Sequence, residues 1–90
     1  MSETRVTIVT GASGGIGSSV AREFAARGYA LALLGTNQEA LAQLAAEIQS
    51  NLGLAIALPG DLADLAYAEA AVRQTIEQLG RVDVLVNNAA

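Results

Sequence analysis

Positions 11, 14, 15 and 17 are glycines, set in the run Thr10-Gly11-Ala12-Ser13-Gly14-Gly15-Ile16-Gly17. The run follows a β-branched stretch over residues 6–9 and opens an apolar-periodic segment, so it falls where a strand turns into a helix. Glycines at such a turn let the backbone bend sharply and approach a ligand with no Cβ in between. The first N–H groups of the helix and its dipole favour an anion there. Two readings stand side by side: a cradle for the phosphates of a nucleotide, and a plain glycine-rich strand-to-helix turn.

Composition removes other chemistries. The chain has 90 residues, a formal net charge of −4, no cysteine and no histidine. Disulfides, thiolate catalysis and the usual zinc sites are therefore ruled out, and no metal is expected. An acidic balance argues against a nucleic-acid partner, which needs a basic surface. All five cations are arginines, Arg5, Arg22, Arg27, Arg73 and Arg81, so a Walker-type P-loop, which needs a lysine, is absent. No apolar run is long enough to span a membrane and the N-terminus lacks a signal-peptide pattern, so no membrane partner and a cytoplasmic location are expected.

The elements that must position the glycine run can be read from periodicity. Strands are expected over residues 5–10, 30–34, 54–58 and 82–86, and helices over 15–27, 38–51 and 64–79. The first helix would bury Ile16, Val20 and Phe24, with Ala21 and Ala25 beside them, and end at Gly28. The second carries Leu41, Leu44, Ala45 and Ile48 and ends near Gly53. The third would bury Leu65, Ala68, Val72, Ile76 and Leu79, with Asp64 as its N-cap and Gly80 as its stop. The second and third strands are continuously apolar, as strands covered on both faces are. The order βαβαβαβ specifies an α/β fold: a Rossmann-type, doubly wound parallel sheet, here one domain over residues 1–90 that stops after its fourth strand.

The glycine spacing is Gly11-x-x-x-Gly15-x-Gly17 rather than G-x-G-x-x-G. With Thr10 before it, Asp61-Leu62 after the third strand and Asn87-Asn88-Ala89 ending the fourth, the chain resembles the short-chain dehydrogenase/reductase family over its whole length. Within that family it looks most like the 3-oxoacyl-carrier-protein reductase group. The resemblance implies that Gly11 and Gly15 belong to the turn beneath a cofactor pyrophosphate, that Gly14 is among the cofactor-binding residues, and that Gly17 lets the first helix pack closely. It implies that Ser13 and Ile16 contact phosphate and ribose, that Asp61 accepts a hydrogen bond from the adenine amino group, and that Leu62 lies against the ring. Asn88 would meet the nicotinamide-side ribose, while Asn87 would tie the fourth strand to its neighbours. Read by itself, Asp61 is equally a loop carboxylate helping to cap the third helix. Ala90 departs from the family's Asn-Asn-Ala-Gly pattern.

The choice of dinucleotide depends on the end of the second strand, where an acid favours NAD and a base favours NADP. The chain has Gly35-Thr36-Asn37, with neither. With no acid to repel a 2′-phosphate, and with Thr36 and Asn37 able to donate to one, NADP(H) is favoured over NAD(H); a simple polar turn accounts for the same residues without a ligand. The family moves a hydride between the nicotinamide and a carbonyl or alcohol, using a Tyr-x-x-x-Lys pair and a serine. Leu33 lies four residues past Tyr29 and Ala71 four past Tyr67, so neither tyrosine fits, and both are expected to be packing residues. The chain would then be the dinucleotide-binding part of an oxidoreductase, without catalytic residues of its own, whose full-length form takes a small-molecule substrate and is a homo-oligomer. The alternative is a non-catalytic, stand-alone nucleotide-binding or interaction module. Either way, an apolar sheet edge is expected at residues 84–86.

Overall fold

The computed structural model describes residues 4–88. Strands β1 (Val6–Val9), β2 (Ala30–Gly35), β3 (Ala55–Pro59) and β4 (Val84–Val86) alternate with helices α1 (Gly15–Ala26), α2 (Gln38–Ser50) and α3 (Leu65–Leu79). All pairings are parallel and the sheet order is β3-β2-β1-β4, with Val9 opposite both Leu33 and Val86. This is the doubly wound arrangement, and the order reverses direction between β1 and β4.

The core lies on both sides of the sheet. On one face Val9, Leu31, Leu33 and Ala55 pack against Ala21 of α1 and Leu41, Leu44 and Ile48 of α2. On the other, Ile8, Ala32 and Leu34 pack against Ala71 of α3, with Tyr67 and Leu79 alongside. β2 is buried from Ala30 to Leu34, so its unbroken apolar run is what a doubly covered strand requires. β3 is less covered, with Ile56, Ala57 and Leu58 only half-buried, because it forms one edge of the sheet.

Two helices bury small residues more deeply than the large apolar ones that mark their stripes, although Phe24 of α1 and Leu79 of α3 do pack against the core. In α1 the buried residues are Gly17 and Ala21, while Ile16 is 73% exposed. The cause is closeness: a Cβ on Gly17 would fall on the carbonyl of Gly11, so the helix touches the loop at its smallest residue. In α3 the buried residues are Ala71 and Thr75, whereas Leu65, Val72 and Ile76 are exposed. Thr75 can be fully buried because its hydroxyl donates to the Ala71 carbonyl at 2.7 Å.

Helix ends follow their cap chemistry. At the end of α1, Tyr29 N–H donates to Phe24 O (3.1 Å) and Gly28 N–H to Ala25 O (3.0 Å), with Gly28 at φ +89. That is a Schellman turn, and its usual apolar clasp is the edge-to-face contact of Phe24 and Tyr29, ring centroids 5.0 Å apart. Tyr29 is thus a packing residue. α2 closes the same way, but the left-handed position is Leu52 (φ 69), not the expected Gly53, which comes one residue later and donates to Ile48 O.

β4 forms the opposite edge of the sheet. It begins at Val84 rather than Val82, since Asp83 is held by β1: Asp83 N–H donates to Val6 O (2.9 Å) and Val6 N–H to Asp83 Oδ2 (2.8 Å). Leu85 is 62% exposed, so the apolar edge expected there is present.

Candidate dinucleotide site

The C-terminal ends of all four strands meet on one side of the sheet, and the residues just past them build the site. After β1, Gly11 takes φ +63, a conformation that disfavours any side chain, and its carbonyl accepts from Gly14 N–H at 3.1 Å. Ala12 N–H donates to Leu34 O at 2.9 Å, which pins the loop to β2. Gly14 is the N-cap of α1, with no side-chain hydrogen bond, and no acid occupies the first turn. The first N–H groups of this helix therefore have no side-chain acceptor. The other two helices are closed: Asn37 Oδ1 accepts from Ala40 N–H (3.0 Å), and Asp64 Oδ1 from Ala66 N–H (3.0 Å). An uncapped, acid-free N-terminus against a glycine turn suits a phosphate oxygen.

Space at the glycines bears on what the loop is for. A Cβ at Gly35 would come within 2.8 Å of Ser13 Oγ, so the bare end of β2 makes room for the serine. A Cβ at Gly15 would meet nothing within 4 Å. The protein's own packing does not require that glycine, and the missing Cβ leaves the helix N-terminus open to a ligand. The residues present fit a dinucleotide's diphosphate on this ground.

A cleft of about 280 Å³ opens beside the loop, lined by Gly11, Ser13, Gly35, Thr36, Gly60, Asp61 and Leu62. Three separate strand ends thus converge on one space, and Ser13, Thr36, Asp61 and Leu62 of the expected site are brought together. Gly14, Gly15 and Ile16 lie beside the cleft, at the N-terminus of α1, and are not among its lining. The Ile16 side chain does not line the cleft.

Asp61 does local work as well. Its Oδ1 accepts from Ala63 N–H at 2.9 Å and its carbonyl from Asp64 N–H at 2.9 Å, so it shapes the turn into α3 while lining the cleft. Asn37 is committed through Oδ1 to capping α2. Its position directly before an apolar-periodic run with Glu39 in the first turn is the signal that identifies it. Tyr67 also bears on the site: its ring packs on Gly60 and its hydroxyl donates to the Leu58 carbonyl, bracing the loop that carries Asp61 and Leu62. Burial pushes its phenol above the ordinary tyrosine value.

The other side of the glycine loop is set by Thr10. Its N–H donates to Val86 O at 3.0 Å, and its hydroxyl lies within 3.3 Å of that carbonyl and 3.2 Å of Asn87 Oδ1. The same hydroxyl accepts from Asn88 N–H at 2.8 Å. Asn87 accordingly ties β4 to β1, and Asn88 lies over Gly11, whose Cβ would come within 3.2 Å of the Asn88 carbonyl. Asn88 therefore sits at the point where the strand order reverses, the position at which doubly wound sheets bind ligands. Ala90, where the chain departs from the family pattern, lies outside the described residues. Among the described residues, no helix is long and apolar enough to cross a membrane.

Fold and site together define a doubly wound sheet with a glycine loop of dinucleotide-binding type. Residues 5–90 match the short chain dehydrogenase family, and the chain belongs to it. A short-chain dehydrogenase/reductase of Hericium erinaceus, eriH, is 42% identical over 93 residues, covering 99% of this chain and 37% of that protein. The crystal structure of L-sorbose reductase from Gluconobacter frateurii, complexed with NADPH and L-sorbose, superposes with a TM-score of 0.91 at 28% identity, over 97% of this chain and 34% of that one. A 3-ketoacyl-ACP reductase from Sinorhizobium meliloti superposes with a TM-score of 0.86 at 35% identity, over 89% and 31%. The chain thus spans about a third of the length of these relatives.

Proposed function

We propose that this chain is the dinucleotide-binding part of a cytoplasmic oxidoreductase that transfers a hydride between a nicotinamide cofactor and a carbonyl or alcohol, using NADP(H) ahead of NAD(H). The observation that carries the reading is the convergence of Ser13, Thr36, Asp61 and Leu62 on one cleft beside an uncapped helix N-terminus. In this reading the first-turn N–H groups at Gly15 and Ile16 and the Ser13 hydroxyl hold the diphosphate. Asp61 and Leu62 take the adenine, and Asn88 takes the nicotinamide-side ribose. The lack of an acid at Thr36 and the NADPH in the sorbose reductase structure both support the choice of cofactor. The bound cofactor would supply or accept the hydride.

The tyrosine, lysine and serine that act on a substrate in this family have no counterpart here, so the 90 residues alone are inert. In the full-length form, a small-molecule substrate and a homo-oligomeric assembly go with the family, and within it we read the chain as of the 3-oxoacyl-carrier-protein reductase group, which the likeness to the Sinorhizobium meliloti 3-ketoacyl-ACP reductase supports. Titration of the whole chain with NADPH, followed by ligand-observed NMR up to millimolar concentration, tests the binding claim. Binding weaker than micromolar is expected, reduced further by Ser13→Ala and Asp61→Ala; no binding at millimolar NADPH overturns the reading.

A further inference from the structure

Neither Gly14 nor the Gly35-Thr36-Asn37 turn carries a positive charge, so a 2′-phosphate would need its countercharge from elsewhere. Arg5, Arg27 and Arg81 belong to the opposite end of the sheet: Arg5 directly precedes β1, Arg27 caps the C-terminus of α1, and Arg81 comes before β4. Arg73 is on α3, across the sheet. Arg22 is the described cation on the α1–α2 side that lies partway up toward the glycine loop.

A groove of about 210 Å³ separates α1 from α2, and among its lining residues are Ser13, Ser18, Arg22, Gln43 and Glu47. Ser13 also lines the cofactor cleft, so the two spaces adjoin at that residue. Side chains on a helix lean toward its N-terminus, which carries the Arg22 guanidinium up the groove toward the loop. The contacts agree: Nη1 reaches Ser18 Oγ, one turn nearer the loop, at 3.5 Å. The other edge of the guanidinium is taken by Glu47, through Nε–Oε2 at 2.7 Å and Nη2–Oε1 at 3.2 Å. Both partners are about half exposed, with side-chain accessibilities of 48% and 45%.

We infer that Arg22 is the residue that distinguishes a 2′-phosphate from a 2′-hydroxyl in this chain, and that Glu47 competes with the phosphate for it. This rests on the dinucleotide reading above. An exposed ion pair of this kind is worth about 1 kcal/mol at most, so it is readily exchanged. A phosphate monoester carries about −1.5 to −2 charges near neutral pH against −1 for a carboxylate, so the exchange favours the phosphate. Arginine presents its donors as a rigid planar fork suited to either anion. The hydroxyl of Ser13 and the amide of Gln43 supply neutral donors along the same groove, while the Ser18 hydroxyl donates to the Gly15 carbonyl at 3.0 Å.

The test compares 2′,5′-ADP with 5′-AMP, titrated into the whole chain and followed by ligand-observed NMR. The two probes differ only in the 2′-phosphate. Arg22→Gln is expected to lower the affinity ratio of 2′,5′-ADP to 5′-AMP about three- to tenfold, the range of an exposed charged hydrogen bond, with 5′-AMP binding unchanged. Arg22→Lys should keep part of the ratio, and Glu47→Gln should raise it. The inference is overturned by an unchanged ratio in Arg22→Gln, by an equal loss of both ligands, or by a lowered ratio in Glu47→Gln. If the unsubstituted chain binds neither probe, the dinucleotide reading itself fails; if it binds both and Arg22→Gln keeps the ratio, only the assignment to Arg22 fails.

Discussion

Two glycines two residues apart in α1 should respond to alanine in opposite ways, and the difference separates what the fold needs from what the ligand needs. A Cβ at Gly17 falls on the Gly11 carbonyl and crowds Ala12 Cα at 3.0 Å, both backbone, so nothing flexible can move aside. Gly17→Ala must push α1 off the loop, and overpacking of that kind costs about 1–3 kcal/mol. A Cβ at Gly15 meets nothing within 4 Å, and Gly15 is the first residue of the helix with no positive φ. Gly15→Ala should therefore stabilise the fold by about 0.4–1 kcal/mol, mainly by restricting the unfolded chain. For a domain of this size that corresponds to a rise in Tm of a few degrees, at about 4–8 °C per kcal/mol. The same methyl stands where a diphosphate would lie across the helix N-terminus, so NADPH binding should fall. Urea denaturation followed by circular dichroism gives the stabilities, and NADPH titration by NMR gives the binding. A Gly17→Ala variant as stable as the parent would refute the packing argument. A Gly15→Ala variant that is more stable and binds NADPH undiminished would refute the claim that this glycine is kept for a ligand.

Other substitutions test separate parts of the structure. Thr7 is fully buried in β1 and its hydroxyl has no hydrogen-bond partner among the described residues, so Thr7→Val should raise stability by about 1 kcal/mol in the same urea assay; a loss of stability would show that the hydroxyl is satisfied. Asp83 is held below the ordinary carboxylate range by the Arg81 fork and then by Val6 N–H, against a smaller opposing effect of desolvation. Because its folded-state value is lowered, its contribution is complete above the unfolded value and is lost as pH falls through the folded one. The urea midpoint of Asp83→Asn should thus lie below the parent's at neutral pH and converge on it in acid, and a gap that persists below the carboxylate range would contradict the assignment. Leu85→Lys should reduce self-association of the isolated chain through the β4 edge, measured by sedimentation velocity; equal association in both proteins would place the contact elsewhere.

The order of elements was legible because each strand is a short apolar run stopped by glycine or a polar turn, and α2 and α3 have cap residues, Asn37 and Asp64, where the pattern changes. Which face of a helix meets the sheet was less legible. Periodicity weights bulk, and bulk selects Ile16 in α1 and Leu65, Val72 and Ile76 in α3. The fully buried positions are instead Gly17 and Ala21, and Ala71 and Thr75, where small side chains allow close approach and the threonine hydroxyl is satisfied within its own helix, while Phe24 and Leu79 of the expected stripes pack beside them. A stripe of large residues then reports an apolar surface without saying whether this part of the chain covers it.

The site divides along a similar line. Its glycines and the residues beside the strand ends could be found from spacing, because a parallel sheet places every strand end on one edge whatever the side chains do. What spacing could not show was how polar side chains spend their hydrogen bonds. Asn37 Oδ1 accepts from Ala40 N–H and caps α2, and Asp61 Oδ1 accepts from Ala63 N–H. Tyr67, which reads as plain packing, braces the loop that holds Asp61 and Leu62 through Gly60 and the Leu58 carbonyl. These bonds run between groups already close in the chain, and their effect is to leave backbone N–H groups, the Ser13 and Thr36 hydroxyls and an apolar wall facing the cleft. A site furnished this way offers shape and neutral donors, and that is why we look to Arg22 on α1 for the charge that would tell one dinucleotide from another.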